Sequence, residues 1–208
     1  MFGIGRERDD DTFDRADVFE PAHLPDPGSF LGDVDVLVGD EHLAVHRLAA
    51  ELFEERGVYD VTFGYNLARL NRDRRHPDAG FRYGTEVRRA DGTADDGDES
   101  ADDATVKGDD AAPTRVLRAE FTPTTEFCPQ SEQLATGAFR AWNGLGERHE
   151  FDVVVVRVDG MHQESARINA ALAELDPRSV DANAPSTASA DGGRDGESSP
   201  AGGFESPF

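Results

Sequence analysis

The chain holds a single cysteine, Cys128, in the string Thr124-Thr125-Glu126-Phe127-Cys128-Pro129, just ahead of an amphipathic pattern that begins near Gln130. Proline suits the first position of a helix, so Pro129 predicts Cys128 at the N-cap. There, unpaired amides and the positive end of the helix dipole favour a thiolate. A thiol so placed is a candidate for metal, sulfur or redox chemistry. Cysteine is also a small apolar side chain that fills cores, and both readings stay open. One cysteine excludes an internal disulfide and any all-cysteine zinc or cluster site within one subunit, so a bound cluster would have to be shared or transient.

Other chemical patterns are weaker. His42 and His46 stand four apart, a spacing that lets two imidazoles reach a metal from one helix face; no third ligand accompanies them, and they are read as exposed. His162 opens the last helical pattern, whose end should lie near the Cys128 loop in the topology below, although a surface position is the simpler assignment. The carboxylates Asp95, Asp96, Asp98, Glu99, Asp102 and Asp103 lack the alternation and closing glutamate of a calcium loop and are read as solvated charge. No phosphate-binding loop, Gly-x-Ser-x-Gly elbow or triad is found.

The elements that must position Cys128 follow from periodicity. Val45, Leu48, Ala49, Leu52 and Phe53 keep helical spacing between a cap at Asp40 and a stop at Gly57. Val58 to Phe63 and Phe81 to Val87 have strand character. From Arg115 to Thr122, Leu117, Ala119 and Phe121 alternate with Arg118 and Glu120, as in a half-buried strand. Leu134, Ala138, Phe139 and Trp142 share one face of the helix after Pro129, which makes them core anchors. Phe151 to Val158 predicts a strand buried on both sides. Ile168, Leu172 and Leu175 mark a last helix ending at Pro177. The order helix, strand, strand, helix, strand, helix predicts an α+β fold. Its small mixed sheet carries helices on one face, and the unit at 115–158 crosses over right-handed.

Composition sets the limits of this domain. Residues 1–30 read as an acidic, flexible N-terminal arm and residues 31–176 as a single α+β domain. A disordered insert at 90–113 carries nine carboxylates, and residues 177–208 read as a disordered tail. With 43 acidic and 21 basic residues the formal charge is -22, and Lys107 is the sole lysine. This field repels a phosphate backbone and argues against nucleic acid. Acid-rich, lysine-poor chains suit molar salt, where a Debye length of roughly 3 Å screens self-repulsion. The composition thus points to a halophilic, archaeal-type cytoplasm. No stretch approaches the ~20 apolar residues of a membrane helix, and Met1 to Arg6 offers no signal-peptide core.

Three short strings resemble the metal-sulfur cluster biosynthesis domain of iron-sulfur assembly accessory proteins. They are Asp78-Ala79-Gly80-Phe81-Arg82-Tyr83, Thr124-Thr125-Glu126-Phe127-Cys128-Pro129, and Ser165-Ala166-Arg167 on the last helix. The likeness spans roughly residues 40 to 175 and departs at Asp159-Gly160-Met161, where that family has Pro-Pro-Trp. The resemblance implies Cys128 as the thiol that meets a transient iron-sulfur cluster, a metal or a target protein, with Asp78 and Thr124 or Thr125 lining its pocket. It implies cluster-assembly or recipient proteins as partners, and a homodimer would let two copies of Cys128 bridge one metal. Nearby hydroxyls that donate to a thiolate agree with this. The expectation is therefore a cytoplasmic, non-enzymatic accessory or carrier protein. Two alternatives are a binding or scaffold module without chemistry and a one-cysteine thiol peroxidase, since peroxiredoxins also place Thr-x-x-Cys-Pro at a helix start. Against the latter, Pro123 lies two residues before Thr125 rather than four, and too few strands follow.

Overall fold

The computed structural model describes residues 23–89 and 112–180. The expected disordered insert, its last two residues aside, and most of both termini lie outside the described residues. Two long strands, β4 (Gly80–Arg88) and β5 (Thr114–Thr122), pair antiparallel over their whole length, from Gly80 opposite Thr122 to Arg88 opposite Thr114. The short β1 (Asp35–Val36) extends the sheet beyond β4 and β6 (Val153–Val158) runs parallel to β5, giving the order β1-β4-β5-β6. Among the described residues the fold is α+β, with three α-helices packed against a mixed sheet.

Alternation along β5 decides which face those helices cover. Leu117, Ala119 and Phe121 stand in register with Thr85, Tyr83 and Phe81 on β4 and with Val154, Val156 and Val158 on β6. Nearly all of these are buried against α1 (Gly39–Arg56), α2 (Ser131–Gly144) and α3 (Ser165–Ala173), with Phe53, Trp142 and Ile168 as the large contributions from each helix. Aromatic rings chain through this core: Phe81 meets Phe53, Phe121 and Tyr83, and Tyr83 meets Trp142 edge-on. Gly57 ends α1 in the left-handed conformation, φ 66°, where its amide closes onto Glu54 and Phe53 carbonyls.

Four expectations need correction. The cap of α1 is Val38, not Asp40, and Asp40 instead places its charge in the first turn beside Glu41. Val58 to Phe63 yields only β2 (Tyr59–Asp60), paired with β3 (Tyr65–Asn66), because the Asp60 carboxylate accepts from the amides of Thr62 and Phe63 and folds the chain back. β6 is buried on one side only: Val154, Val156 and Val158 are enclosed while Val153, Val155 and Arg157 are half-buried. Finally, residues 24–34, assigned largely to a flexible arm, lie across the sheet's second face. Gly28 N–H donates to Glu120 at 2.6 Å, Arg118 donates to the Phe30 carbonyl at 2.8 Å, and the Arg118 and Arg157 guanidiniums stack on the Phe30 ring. Cation–π contacts and a charge-assisted amide bond hold this strap where apolar packing is thin.

Candidate functional site

β5 delivers the chain to the end of the sheet at Thr122, and residues 123–130 turn it into α2. Inside that turn the Cys128 amide donates to the Thr125 carbonyl at 3.3 Å, and the Cys128 carbonyl accepts from Ser131 N–H at 3.2 Å. The helix starts at Ser131 with Gln130 as its N-cap. Cys128 therefore sits two residues outside the cap predicted for it. Gln130 is drawn into the cap position by its side chain, which reaches across to the β2–β3 turn, accepting from Val61 N–H and donating to Thr62 Oγ1. The first helical amide thus meets the carbonyl of Cys128, not its sulfur.

The expected neighbourhood of His162 is present. Its Nε2 lies 3.1 Å from the Cys128 carbonyl and its Nδ1 accepts from Glu164 N–H at 3.2 Å, so backbone groups meet both ring nitrogens. His162 is 4% exposed, so the surface assignment is corrected: the ring is a buried tie between the start of α3 and the Cys128 turn. A second tie joins Gln163 N–H to the Glu126 carbonyl at 3.0 Å. Between them opens a depression of about 220 Å3 that includes Cys128, His162, Phe127 and Glu132, with the cysteine half-buried. Arg167, also on its wall, is held by Glu132 at 3.0 Å and Glu164 at 2.9 Å.

Asp78, Thr124 and Thr125 are not among the residues lining this depression. Thr124 is half-buried and Thr125 exposed, while Asp78 is exposed at the head of β4 with its amide donating to the His23 carbonyl. His42 and His46, read as exposed, are in fact enclosed between α1 and the sheet, with stacked rings 6.0 Å apart and His42 against Tyr83. Burial drives both well below the ordinary imidazole range, to about 4 and about 3.

Residues that sequence reasoning passed over occupy the strap side. Glu120, buried in β5, lies in register between Arg82 and Arg157, and a Cβ on Gly28 would collide with the carboxylates of both Glu120 and Asp159. Burial and the nearby Asp159 raise the Glu120 pKa, against the pull of the Gly28 and Phe30 amides. Its alternation with Leu117 and Phe121 marked it as outward-facing, and only the strap makes it buried.

A cluster or metal fits this site poorly. Cys128 offers one soft ligand, and both nitrogens of the adjacent His162 are engaged by backbone. Among the described residues no three His, Cys, Asp or Glu side chains converge as a ligand set. Comparison with known families decides the lineage: residues 11–185 match a domain of unknown function, DUF7998. The chain belongs to that DUF7998 family. No curated protein and no solved structure matches it.

The resemblance to metal-sulfur cluster biosynthesis domains is overturned by this match. Local geometry gives two of the shared strings a reason of their own. Asp78 and Gly80 both hold positive φ, 65° and 121°, so the Asp-x-Gly pattern is what this turn into β4 demands. In the DUF7998 chain the Thr-Thr-x-x-Cys-Pro string is likewise a hydrogen-bonded turn between a strand and a helix. No described helix is long and apolar enough to cross a membrane.

Proposed function

We propose that this DUF7998 chain is a non-catalytic binding module that docks a partner protein at the sheet end surrounding Cys128. The observation that supports this most is a set of exposed apolar side chains: Val61 is 76% exposed, Phe127 64% and Met161 43%. They lie on neighbouring segments, because Gln130 ties the Val61 turn to the start of α2, and His162 and Gln163 tie the Met161 turn to residues 126–128. Apolar side chains gathered at one place, rather than scattered singly, mark interaction surfaces. The position agrees with general practice, since β5 and β6 are parallel and ligands favour the carboxyl ends of parallel strands.

Charge selects the partner. Glu126, Glu132 and Glu164 rim the depression, and Arg167, on the same wall, is committed to two of them. The occupant is therefore a protein segment with large apolar residues flanked by Lys or Arg, which would meet the rim carboxylates while its apolar side chains cover Phe127. A random-peptide display library panned against the full chain tests this. Enrichment of apolar peptides with basic flanks is expected. Phe127→Asp should weaken the selected peptides by at least about ten-fold, and their binding should slow alkylation of Cys128. Peptides that bind Phe127→Asp as well as the native chain, or that leave alkylation unchanged, would sink the reading.

A further inference from the structure

Among the described residues, β6 is an outer strand of the sheet, paired with β5 alone. The free side of such a strand offers a row of backbone donors and acceptors to any other strand, and copies of one chain can pair through it. The hazard is large here. Val153–Val158 consists of five valines and Arg157, with no carboxylate, in a chain whose total charge is -22.

Two asparagines occupy that edge. From α2, Asn143 takes both backbone groups of Val154: its Nδ2–H donates to the carbonyl at 2.9 Å and its Oδ1 accepts from the amide at 3.0 Å. From α3, Asn169 does the same at Val158, with both bonds 2.8 Å long. The N–H and C=O of one residue point to the same side of a strand, so positions 154 and 158 face away from β5, and Val156 between them faces with them. Each carboxamide thus supplies the donor and the acceptor that a neighbouring strand would bring. An incoming strand bonds at every second residue, and of these three outward positions only Val156 is left to receive it. The asparagines are themselves held in place, since Asn143 Nδ2 also donates to the Phe139 carbonyl at 2.9 Å and Arg157 donates to the Asn169 carbonyl at 2.9 Å.

We infer that Asn143 and Asn169 stand in for an additional strand and keep β6 from pairing with the β6 of a second copy of this chain. Repulsion between acidic copies is the other barrier to such pairing, and it fades in strong salt, where the Debye length falls to about 3 Å. Uncharged side-chain bonds persist there. The closed edge is independent of the partner-docking surface at Cys128.

Sedimentation and amide hydrogen exchange of the full chain in ~2 M KCl, where charge is screened, test this. Asn143→Ala combined with Asn169→Ala should add a self-association at least about ten-fold tighter than any shown by the native chain. On associating, the Val154, Val156 and Val158 amides of the variant should gain at least about ten-fold protection over its dilute form. Adding Phe127→Asp should leave this association intact. A folded double variant that sediments as the native chain does overturns the inference. So does an association that leaves these three amides unchanged, or one that Phe127→Asp abolishes. If the double variant does not fold, each single change opens one end of the edge and should show the same signature more weakly, and folded single variants without it overturn the inference. Failure of both single variants to fold would overturn it as well, because the asparagines would then serve as ties between helix and sheet.

Discussion

At the scale of single residues, the buried histidine pair links the core to pH. Both rings are held neutral by burial, with pKa values lowered to about 4 for His42 and about 3 for His46 against 6.5 unfolded. A depressed folded pKa means the unfolded chain takes up protons first. The stability these rings carry is complete above pH 6.5 and is lost as the pH falls toward 4 and then 3. Each histidine contributes a slope of about 1.4 kcal/mol per pH unit inside that window. Urea unfolding between pH 7 and 5 should show both contributions, and His46→Leu should remove one of them. An unchanged slope would show that His46 is not the group responsible. Asp73 acts in a different window: Arg75 bonds hold its carboxyl below the usual range, so its contribution fades only under pH 3.8. Glu120 has the opposite sign. Its raised pKa means the ionised form is disfavoured in the fold, so the linked stability is full at low pH and lost as pH rises through the folded value. Glu120→Gln keeps an acceptor for Gly28 N–H and removes the buried charge. It should stabilise the protein by about 1 kcal/mol at pH 7, with the gain shrinking toward pH 4. Melting temperatures of both forms at the two pH values measure this, and a loss at pH 7 would mean that Arg82 and Arg157 already compensate the charge.

Among elements, the strap of residues 24–34 is the part with the clearest mechanical signature. Gly28 crosses the sheet so closely that an alanine methyl would strike the Asp159 and Glu120 carboxylates. Gly28→Ala should cost about 2 kcal/mol, in the range of overpacked sites, and should loosen the strap before the helical face. Hydrogen exchange would then rise for Phe30 and Leu31 while Leu134 to Trp142 on α2 stay protected. Uniform loss of protection would show instead that strap and core unfold as one unit. The strap also explains what was legible from the amino-acid string and what was not. Helix α1 with its glycine stop, the alternation of β5 and the apolar face of α2 are local patterns, each written within a few turns of chain. The strap was hidden because its contacts pair Gly28 with Glu120 and Phe30 with Arg118, residues about ninety positions apart, and its composition is polar. The Cys128 turn was half-legible for the same reason. Pro129 announced a helix start, but the pull of the β2–β3 turn on Gln130, which moves the cap past the cysteine, is long-range.

At the scale of the whole molecule, charge outweighs any single contact. The 21 basic residues cannot neutralise 43 acidic ones, which leaves a surplus of 22 negative charges. The ion pairs that do form, such as Arg115 with Glu150 and Arg167 with Glu132, are largely exposed and contribute little each. Salt therefore acts in two directions, weakening these pairs while screening the larger repulsion. The excess of negative charge decides the sign. Raising KCl from ~0.1 M to ~2 M shortens the Debye length from about 10 Å to under about 3 Å and should raise the melting temperature by several degrees, on the order of 5–10 °C. General exclusion of solutes from the protein surface would also stabilise the fold, so the comparison must include sucrose at equal osmolality, which excludes without screening. A gain in KCl well above that in sucrose identifies screening as the cause. Equal gains, or a flat response to KCl, would mean that the surplus carboxylates lie far enough apart in the native fold to be solvated without mutual cost.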